Sequence, residues 1–568
     1  MPGVPLLPAP TSNHMPCTPA TPEDINYEAC YPWCDRNPAV NCNRCKCKAC
    51  DVCSQPTAQL PPLTCSLTRR EHRLPKMRGL HGYNTIPVMP YADPAYIAGA
   101  RALFADSLRY PGGTVANYFD WRSGSFVQPC AADMCDVQRR LERWPAGSFR
   151  AQAFARGAAG LDQVFVLNVV TADAAGMRSQ LAWLSSQGVD VAAIEFGNEL
   201  FSSKYSGVFP TAHAFMAKVT DAVGYARQLF PFAKLAAPFG FPFCEQPEDA
   251  FDTWNRDLAR YAHVWDALTL HDYSACARSV GESADDRPGT LMAWGDVALR
   301  KHRAAVARTF DAVDVARLEL WLTEVGFGAM GQDGPPLGEA DPEDWHRTAF
   351  AGIHSASYLL AVAAGDSRTR RLHLHLLAAE EGGRGSKVAM VRVRPMDAGV
   401  AISEELSAAA QVVSHVAATA QRGVGGSVGI VPGGIECPQM PHAVAGFVGH
   451  QCLAGAAWLG SPQDDAFPAA VVLINRCLRP IRASLVSLGS ASAWDGHLLA
   501  NVTVYPGTDN GDRVRVERAW PIGSPVVGRS APNVRFSLVA GTHQHRGCWL
   551  FSSVAQTSPP CSTHDPEP

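Results

Sequence analysis

Eight short apolar runs separated by longer helical stretches limit the fold of this chain more than any other feature. The runs span residues 77–83, 107–112, 164–170, 191–196, 234–239, 267–273, 318–327 and 372–377, and Ala-rich or amphipathic segments lie at 94–105, 174–187, 211–229, 291–309, 343–364 and 403–421. A (β/α)8 TIM barrel contains eight strands, each followed by a helix or a long loop, and this is the number of apolar runs in the chain. A doubly wound sheet seldom needs eight repeats, and no Gly-rich dinucleotide loop follows the first run. We therefore predict an α/β chain built on a barrel.

The patterns on either side of the barrel differ from it and predict two further units. Residues 1–65 are rich in Pro and Cys and have no helical periodicity. After about residue 424 the helical pattern stops, and short apolar runs are broken by Gly, Pro, Asn and Asp. This spacing favours a β-sandwich that supports the barrel. We predict a Cys-rich segment over 1–65, a catalytic barrel over 66–423 and a C-terminal β-sandwich over 424–568.

The chain has 18 cysteines, and seven of them fall between Cys30 and Cys53. Paired CxxC steps such as Cys42/Cys45 have the spacing of zinc ligands, which would suit an interaction protein with a zinc module. A short segment poor in aliphatic residues would equally need disulfides to fold, and no His has zinc-finger spacing. We favour the disulfide module, and zinc stays open as the alternative.

Composition narrows the class of protein and its partners. Apolar residues make up 47% and charged residues 18%, which excludes a disordered chain. A net charge of -4 argues against nucleic acid as a partner. No apolar run approaches the roughly 18 residues of a transmembrane segment. The opening MPGVPLLPAP shows no signal peptide, so an extracellular or secretory location is inferred from cysteine usage alone.

Polar residues at the ends of the predicted strands indicate where chemistry would occur, because barrel enzymes build their sites at the C-terminal ends of the strands. The segments are RYPGGT (109–114), EFGNE (195–199), HDY (271–273) and LWLTEVGF (320–327). Glu199 and Glu324 each follow a run that should be buried, where an unpaired carboxylate costs several kcal/mol. A buried pair with Arg109 would explain one of them. Strands 4 and 7 lie across the barrel mouth from each other, so the two carboxylates can flank one scissile bond.

These four segments, in this order, resemble the large clan of retaining glycoside hydrolases with catalytic Glu residues on barrel strands 4 and 7. The similarity is strongest to the heparanase/β-glucuronidase-like branch, and next to the arabinofuranosidase branch. It covers about residues 75–555, including a C-terminal β-sandwich. It implies hydrolysis of O-glycosidic bonds in a poly- or oligosaccharide or a glycoconjugate by double displacement, without metal or cofactor.

The resemblance also implies roles for individual residues. Glu199 matches the general acid/base and Glu324 the nucleophile. Arg109 matches the arginine that keeps the nucleophile charged, and Tyr273 matches the tyrosine that hydrogen-bonds it. Asn198 matches the asparagine that holds the sugar 2-OH, and His271 belongs to the same motif as Tyr273 and supports the site.

Other residues near these motifs receive structural interpretations. Glu195 is expected to support the site, and His354 and His375 are expected to pack inside the barrel. Trp121, Phe119 and Tyr118 form either a sugar-stacking platform or part of the core. A non-catalytic carbohydrate-binding protein on the same scaffold remains an alternative, disfavoured because both carboxylates and their Arg and Tyr are present.

Overall fold

A computed structural model describes residues 79–87, 90–127, 134–242, 249–273, 294–326, 349–365, 368–380, 389–396 and 399–402, with residues 63–67 and short segments between 409 and 553. The Cys-rich segment up to residue 62 lies outside the described residues, so the choice between disulfides and zinc stays a prediction. Within the described part of the chain, no helix has the length and apolarity needed to cross a membrane.

Eight parallel strands close into a barrel, which confirms the predicted fold class. They are β1 His81–Asn84, β2 Ser107–Tyr110, β3 Asp162–Leu167, β4 Ala193–Phe196, β5 Lys234–Pro238, β6 Ala267–Tyr273, β7 Glu319–Gly326 and β8 Thr369–Leu374. Each strand pairs with the next along the chain, and β8 pairs with β1. All eight C-terminal strand ends therefore meet at one mouth.

Helices follow the strands in the alternation that the sequence predicts. They are α1 Pro94–Ala102, α2 Cys135–Leu141, α3 Ala151–Gly157, α4 Ala174–Ser186, α5 Ala212–Leu229, α6 Asp252–Ala259, α7 Trp294–Thr309, α8 Ala312–Arg317 and α9 Ala349–Gly365. Side-chain caps set several starts: Asp93, Asp173 and Thr211 each accept a hydrogen bond from a backbone N–H of the first turn. The shorter helices α2, α3, α6 and α8 were not predicted, because few residues give little periodicity.

The lower interior of the barrel is apolar and packed by residues of very different size. Trp321 forms a separate buried cluster with four small side chains from neighbouring strands, namely Val164, Ala193, Ala236 and Ala267. One indole fills the space that three alanines leave. Because side chains alternate along a strand, Glu195 points to the same side as Ala193, one layer closer to the mouth. The polar Glu195 side chain therefore lies above this apolar layer, on the side of the barrel mouth.

Strands beyond the barrel form two further sheets. One contains Ile430–Val431, Leu453–Leu459, Pro468–Asn475, Arg535–Gly541 and Cys548–Ser553, and the other contains Leu63–Leu67, Ile435–Glu436, Ala483–Ser487 and Leu498–Ala500. These strands agree with the predicted C-terminal β region. The predicted boundary at residue 65 falls inside the strand Leu63–Leu67, which pairs in parallel with Ala483–Ser487. A small sheet of Ala378–Glu380, Val391–Met396 and Gly399–Ile402, which was not predicted, follows β8.

Candidate active site

Arg109, on β2, lies fully buried at the centre of the barrel mouth. Its Nε donates to Glu195 Oε2 over 2.7 Å, and its Nη2 donates to Glu195 Oε1 over 2.9 Å. The remaining N–H groups reach Glu324 Oε1 at 2.8 Å, Asn198 Oδ1 at 2.8 Å and Asn84 Oδ1, on β1, at 2.9 Å. A planar guanidinium offers five donors in a fixed fork, so one residue can hold side chains from three strands or the loops that follow them. The expected buried pair therefore exists between Arg109 and Glu324, and a second, bidentate pair joins Arg109 to Glu195.

Glu324, on β7, is held as an anion by its surroundings. Burial would raise the pKa of this carboxyl, but the neighbouring His271, His375 and Arg109 outweigh it. Tyr273 acts in the same direction, since its hydroxyl donates to Glu324 Oε2 over 2.5 Å. The pKa of Glu324 is consequently well below its ordinary range. Burial and the adjacent carboxylates raise the pKa of Tyr273 well above 10, so this residue keeps its proton and stays a donor.

Glu199 follows β4 and differs from Glu324 in its surroundings. Its side chain is 22% exposed, against 5% for Glu324. Oε1 of Glu199 lies 2.7 Å from Nδ1 of His271, and the same nitrogen lies 3.6 Å from Glu324 Oε2. Burial would lower the pKa of His271, but the two carboxylates raise it above its ordinary value. His271 therefore lies between two different carboxylates, the partly exposed Glu199 and the enclosed Glu324.

The backbone between β4 and Glu199 is locked by side chains of the β2 loop. Asn117 Oδ1 accepts the backbone N–H of Asn198 at 2.9 Å, and Asn117 Nδ2 donates to the Asn198 carbonyl at 2.7 Å. Gly197 (φ +84°) and Glu199 (φ +49°) both adopt the left-handed conformation. The Nδ2 of Asn198 is buried and has no hydrogen-bond partner in the described structure. This leaves one fixed donor for a ligand.

The structure brings together all six predicted site residues: Arg109, Asn198, Glu199, His271, Tyr273 and Glu324. It also places Asn84 and His375, at the ends of β1 and β8, in the same cluster. Nδ1 of His375 lies 3.8 Å from Glu324 Oε2 and 3.2 Å from Asn84 Nδ2. His375 is buried as expected, and it also lies beside Glu324. Asn84 and His375 both lie where a barrel strand ends, so the strand-end pattern that marks the other four motifs was also the sequence signal for them.

The aromatic residues considered as a sugar platform separate into two groups. Phe119 and Trp121 are completely buried, and the Trp121 indole N–H donates to the Val166 carbonyl at 3.1 Å. They belong to the core. Tyr118 is partly exposed, and the ammonium of Lys204 lies 5.9 Å from its ring centroid. His354, the other histidine expected to pack, is completely buried on α9.

One group in the described residues has the donor set for a cation. Ligand atoms of Glu199, His271 and Glu324 all lie within 4.8 Å of one another. Imidazole and carboxylate ligands are compatible with zinc. The same atoms already form hydrogen bonds among themselves and with Tyr273. The cluster is therefore satisfied as a proton-sharing network.

No protein-family model and no curated protein matches this chain. Solved structures do match it. The GH51 arabinofuranosidase from Xanthomonas axonopodis pv. citri aligns with a TM-score of 0.52 at 15% identity, over 76% of this chain and 88% of that one. A family 51 α-L-arabinofuranosidase from Bifidobacterium longum gives 0.54 at 12% identity, over 79% and 96%. The α-L-arabinofuranosidase from Thermotoga maritima gives 0.51 at 15% identity, over 75% and 88%. This chain therefore shares the (β/α)8 barrel fold of these glycoside hydrolases.

Proposed function

We propose that this protein is a retaining glycoside hydrolase in which Glu199 is the general acid/base and Glu324 the nucleophile. The observation that carries the proposal is the pair of carboxylates at the barrel mouth, with one oxygen of each within 4.8 Å of the other. Retaining enzymes hold the two groups about 5–5.5 Å apart, whereas inverting enzymes need roughly 6.5–9.5 Å to admit a water. The short separation supports attack by the protein itself.

The first step uses the contrast between the two groups. Glu324, ionised by its neighbours, attacks the anomeric carbon and forms a glycosyl ester, while Glu199 gives its proton to the leaving oxygen. Glu199 suits this role because it is partly open to the cleft and shares a hydrogen bond with His271. The glycosidic C–O bond breaks as the ester bond forms, so no other reactant is needed.

The second step reverses the role of Glu199. Esterification neutralises Glu324, so the glycosyl-enzyme holds one fewer negative charge beside Glu199. Glu199 can then take a proton from water, which attacks the anomeric carbon and releases Glu324. The unpartnered Nδ2 of Asn198 supports a contact to the sugar 2-OH, which would strengthen as positive charge develops on the ring.

The proposed substrate is a carbohydrate, and experiment must identify which sugar it contains. The structures with the same fold include α-L-arabinofuranosidases, whereas the strand-end motifs are most similar to the heparanase/β-glucuronidase-like branch. Extracellular action is part of the proposal. The disulfide at Cys135 supports it, since such bonds persist in oxidising compartments.

A panel of aryl glycosides tests the proposal without knowledge of the natural sugar. It should include β-glucuronides, α-L-arabinofuranosides, xylosides and glucosides. We expect hydrolysis of at least one of these glycosides. NMR should show that the product retains the anomeric configuration of the substrate. Glu324→Gln should lower kcat by at least about 10³-fold, because the nucleophile is lost. Glu199→Ala should lose most of the rate and recover part of it with azide on substrates with good leaving groups.

The controls separate this function from its rivals. Inverted product configuration, or full activity in the Glu324→Gln variant, would rule out the assigned mechanism. Saturable sugar binding without turnover would favour the non-catalytic carbohydrate-binding protein. Loss of activity on treatment with a chelator, restored by zinc, would point to the cluster of Glu199, His271 and Glu324 as a metal site.

A further inference from the structure

The end of β8 brings a second histidine to the nucleophile, and the protein fixes its hydrogen-bonding state. His375 is 5% exposed, and its Nδ1 lies 3.8 Å from Glu324 Oε2. Its ring meets that of Tyr273 edge to face, with centroids 6.0 Å apart. The backbone N–H of His375 donates to the Val325 carbonyl at 2.8 Å, so the chain is anchored one residue beyond Glu324. The imidazole is thereby held beside the nucleophile by packing and by backbone bonding.

The orientation of the Asn84 amide determines which His375 nitrogen carries the proton. Arg109 Nη1 donates to Asn84 Oδ1 at 2.9 Å. Because a guanidinium has only donors, this contact requires the Asn84 oxygen on that side and its NH2 group on the other. The NH2 group lies 3.2 Å from His375 Nδ1. That nitrogen must therefore accept, which places the single ring proton on Nε2.

Charge and burial agree with a neutral ring. Burial lowers the pKa of His375, and the positive groups Arg109 and His271 act in the same direction, against the carboxylates of Glu324 and Glu199. His375 thus differs from His271, whose pKa is raised, although both lie within 4 Å of Glu324 Oε2. The pKa values of the two histidines beside Glu324 are therefore shifted in opposite directions.

The remaining ring nitrogen is directed to no described group of the protein. His375 Nε2 has no hydrogen-bond partner among the described residues. It is also absent from the side-chain atoms that are both enclosed and unpartnered, so it keeps some solvent exposure. An unpaired N–H donor therefore remains on a ring whose other nitrogen lies 3.8 Å from Glu324 Oε2.

We propose that His375 is a specificity residue that donates its Nε2–H to an oxygen of the sugar seated over Glu324, and that Asn84 is the positioning residue that keeps this proton on Nε2. The inference rests on the proposed glycosidase function. It selects sugars that present an acceptor oxygen at this point of the ring. A sugar with hydrogen there would leave the donor unpaired, which is how a polar site rejects an analogue that lacks a hydroxyl.

The first test reads the proton position directly in the free protein. Selective 15N labelling of histidine, with the His375 resonances assigned by their loss in a His375→Gln variant, should show a neutral ring protonated on Nε2 at pH 7. In Asn84→Asp the NH2 donor becomes a carboxylate oxygen, so the proton should move to Nδ1. An imidazolium, or a proton on Nδ1 in the wild-type protein, would overturn the inference.

The second test reads the contact with the sugar. His375→Phe keeps the ring volume against Tyr273 and removes the donor, whereas His375→Gln keeps an N–H donor at a similar reach. On the best aryl glycoside of the panel, kcat/KM should fall about tenfold in His375→Phe and less than threefold in His375→Gln. Among deoxy analogues of that sugar, one should slow the wild-type enzyme about tenfold yet barely slow the His375→Phe variant further.

The outcomes separate this inference from the proposed function. Equal losses in His375→Phe and His375→Gln, or equal sensitivity of wild type and His375→Phe to every deoxy analogue, reject the contact while the glycosidase stands. If no glycoside is hydrolysed, the proposed function fails and the sugar contact fails with it. The NMR spectrum still decides the tautomer in that case. Melting temperatures of the variants identify any that fail to fold.

Discussion

Arg109 shows how one residue can serve both folding and chemistry. Its bidentate pair with Glu195 is completely buried, and removal of the arginine would leave a buried carboxylate without its cation, which costs about 3–5 kcal/mol. The same guanidinium still offers an N–H to Glu324. Because Glu195 holds the arginine in place, the arginine does not depend on Glu324 for its position. In the proposed mechanism, Glu324 can therefore lose its charge on esterification while Glu195 still holds the arginine in place.

The Tyr273 hydroxyl should influence the pH at which activity is lost on the acid side of the kcat/KM profile. In the proposed mechanism Glu324 must be ionised to attack, and its lowered pKa places its titration below the ordinary value of 4.5. Tyr273→Phe removes one hydrogen bond that stabilises the anion, so the pKa of Glu324 should rise. A hydrogen bond to a charged group corresponds to about one pH unit. We expect the acid limb of kcat/KM to move up by about that much.

Tyr358→Phe is the matched control for this measurement. Its hydroxyl also donates to a buried carboxylate of β6, Asp272, at 2.6 Å. That carboxylate also accepts from the Trp294 indole and is not part of the cluster around Glu324. Tyr358→Phe should lose stability and keep the wild-type acid limb. An unchanged limb in Tyr273→Phe would mean that the hydroxyl does not control the charge of Glu324.

At the level of elements, the accuracy of a predicted strand end decided which site residues could be found. The run predicted at 267–273 coincides with β6, so His271 and Tyr273 fell at the barrel mouth. The run predicted at 372–377 extended too far, because apolar residues continue after β8 ends at Leu374. His375 therefore seemed to lie inside a strand. In the structure, Leu377 N–H donates to the Asn84 carbonyl, a long-range contact that local pattern cannot indicate.

The turn between β4 and Glu199 should tolerate no side chain at Gly197. A Cβ there would lie 2.6 Å from Val169 Cγ2 and 2.8 Å from Leu200 Cδ1, in addition to the cost of φ +84°. Gly197→Ala should lower the free energy of unfolding by about 2–4 kcal/mol, from left-handed strain and overpacking together. It should also reduce kcat, because Asn198 and Glu199 follow directly.

Gly188→Ala separates strain from crowding. Gly188 follows the end of α4 with φ +67°, and an added Cβ would meet nothing within 4 Å. Only the backbone cost of about 1–2 kcal/mol should appear, and activity should be unchanged. Urea unfolding and kcat of both variants provide the comparison. Equal effects of the two substitutions would show that packing at Gly197 does not position the site.

Across the whole molecule, the barrel was predictable and the partners of the outer strands were not. Alternating apolar runs specify the barrel because each strand pairs with its neighbour in the chain. The strand Leu63–Leu67 instead pairs with Ala483–Ser487 and Ile435–Glu436. Such pairings join distant parts of the chain, and their register depends on contacts that no local pattern contains.

Acid stability should reflect a histidine buried between the barrel and its helices. Burial lowers the pKa of His81, on β1, from 6.5 to about 4, although the nearby Leu103 backbone acts in the opposite direction. Between these two pH values the unfolded chain binds more protons than the folded one. This contribution to stability is therefore complete above pH 6.5 and is lost as the pH falls towards 4. One such group removes about 2 kcal/mol between pH 7 and pH 5.

His81→Gln should remove this part of the pH dependence, because the amide has no proton to gain. We expect the free energy of unfolding in urea to change by about 2 kcal/mol less between pH 7 and pH 5 than in the wild-type protein. His263→Gln, at an exposed position, serves as the matched control and should keep the wild-type slope. His373 is also completely buried, and burial lowers its pKa well below 6.5. Some acid sensitivity should therefore persist in His81→Gln, and an unaltered slope in that variant would contradict the role given to His81.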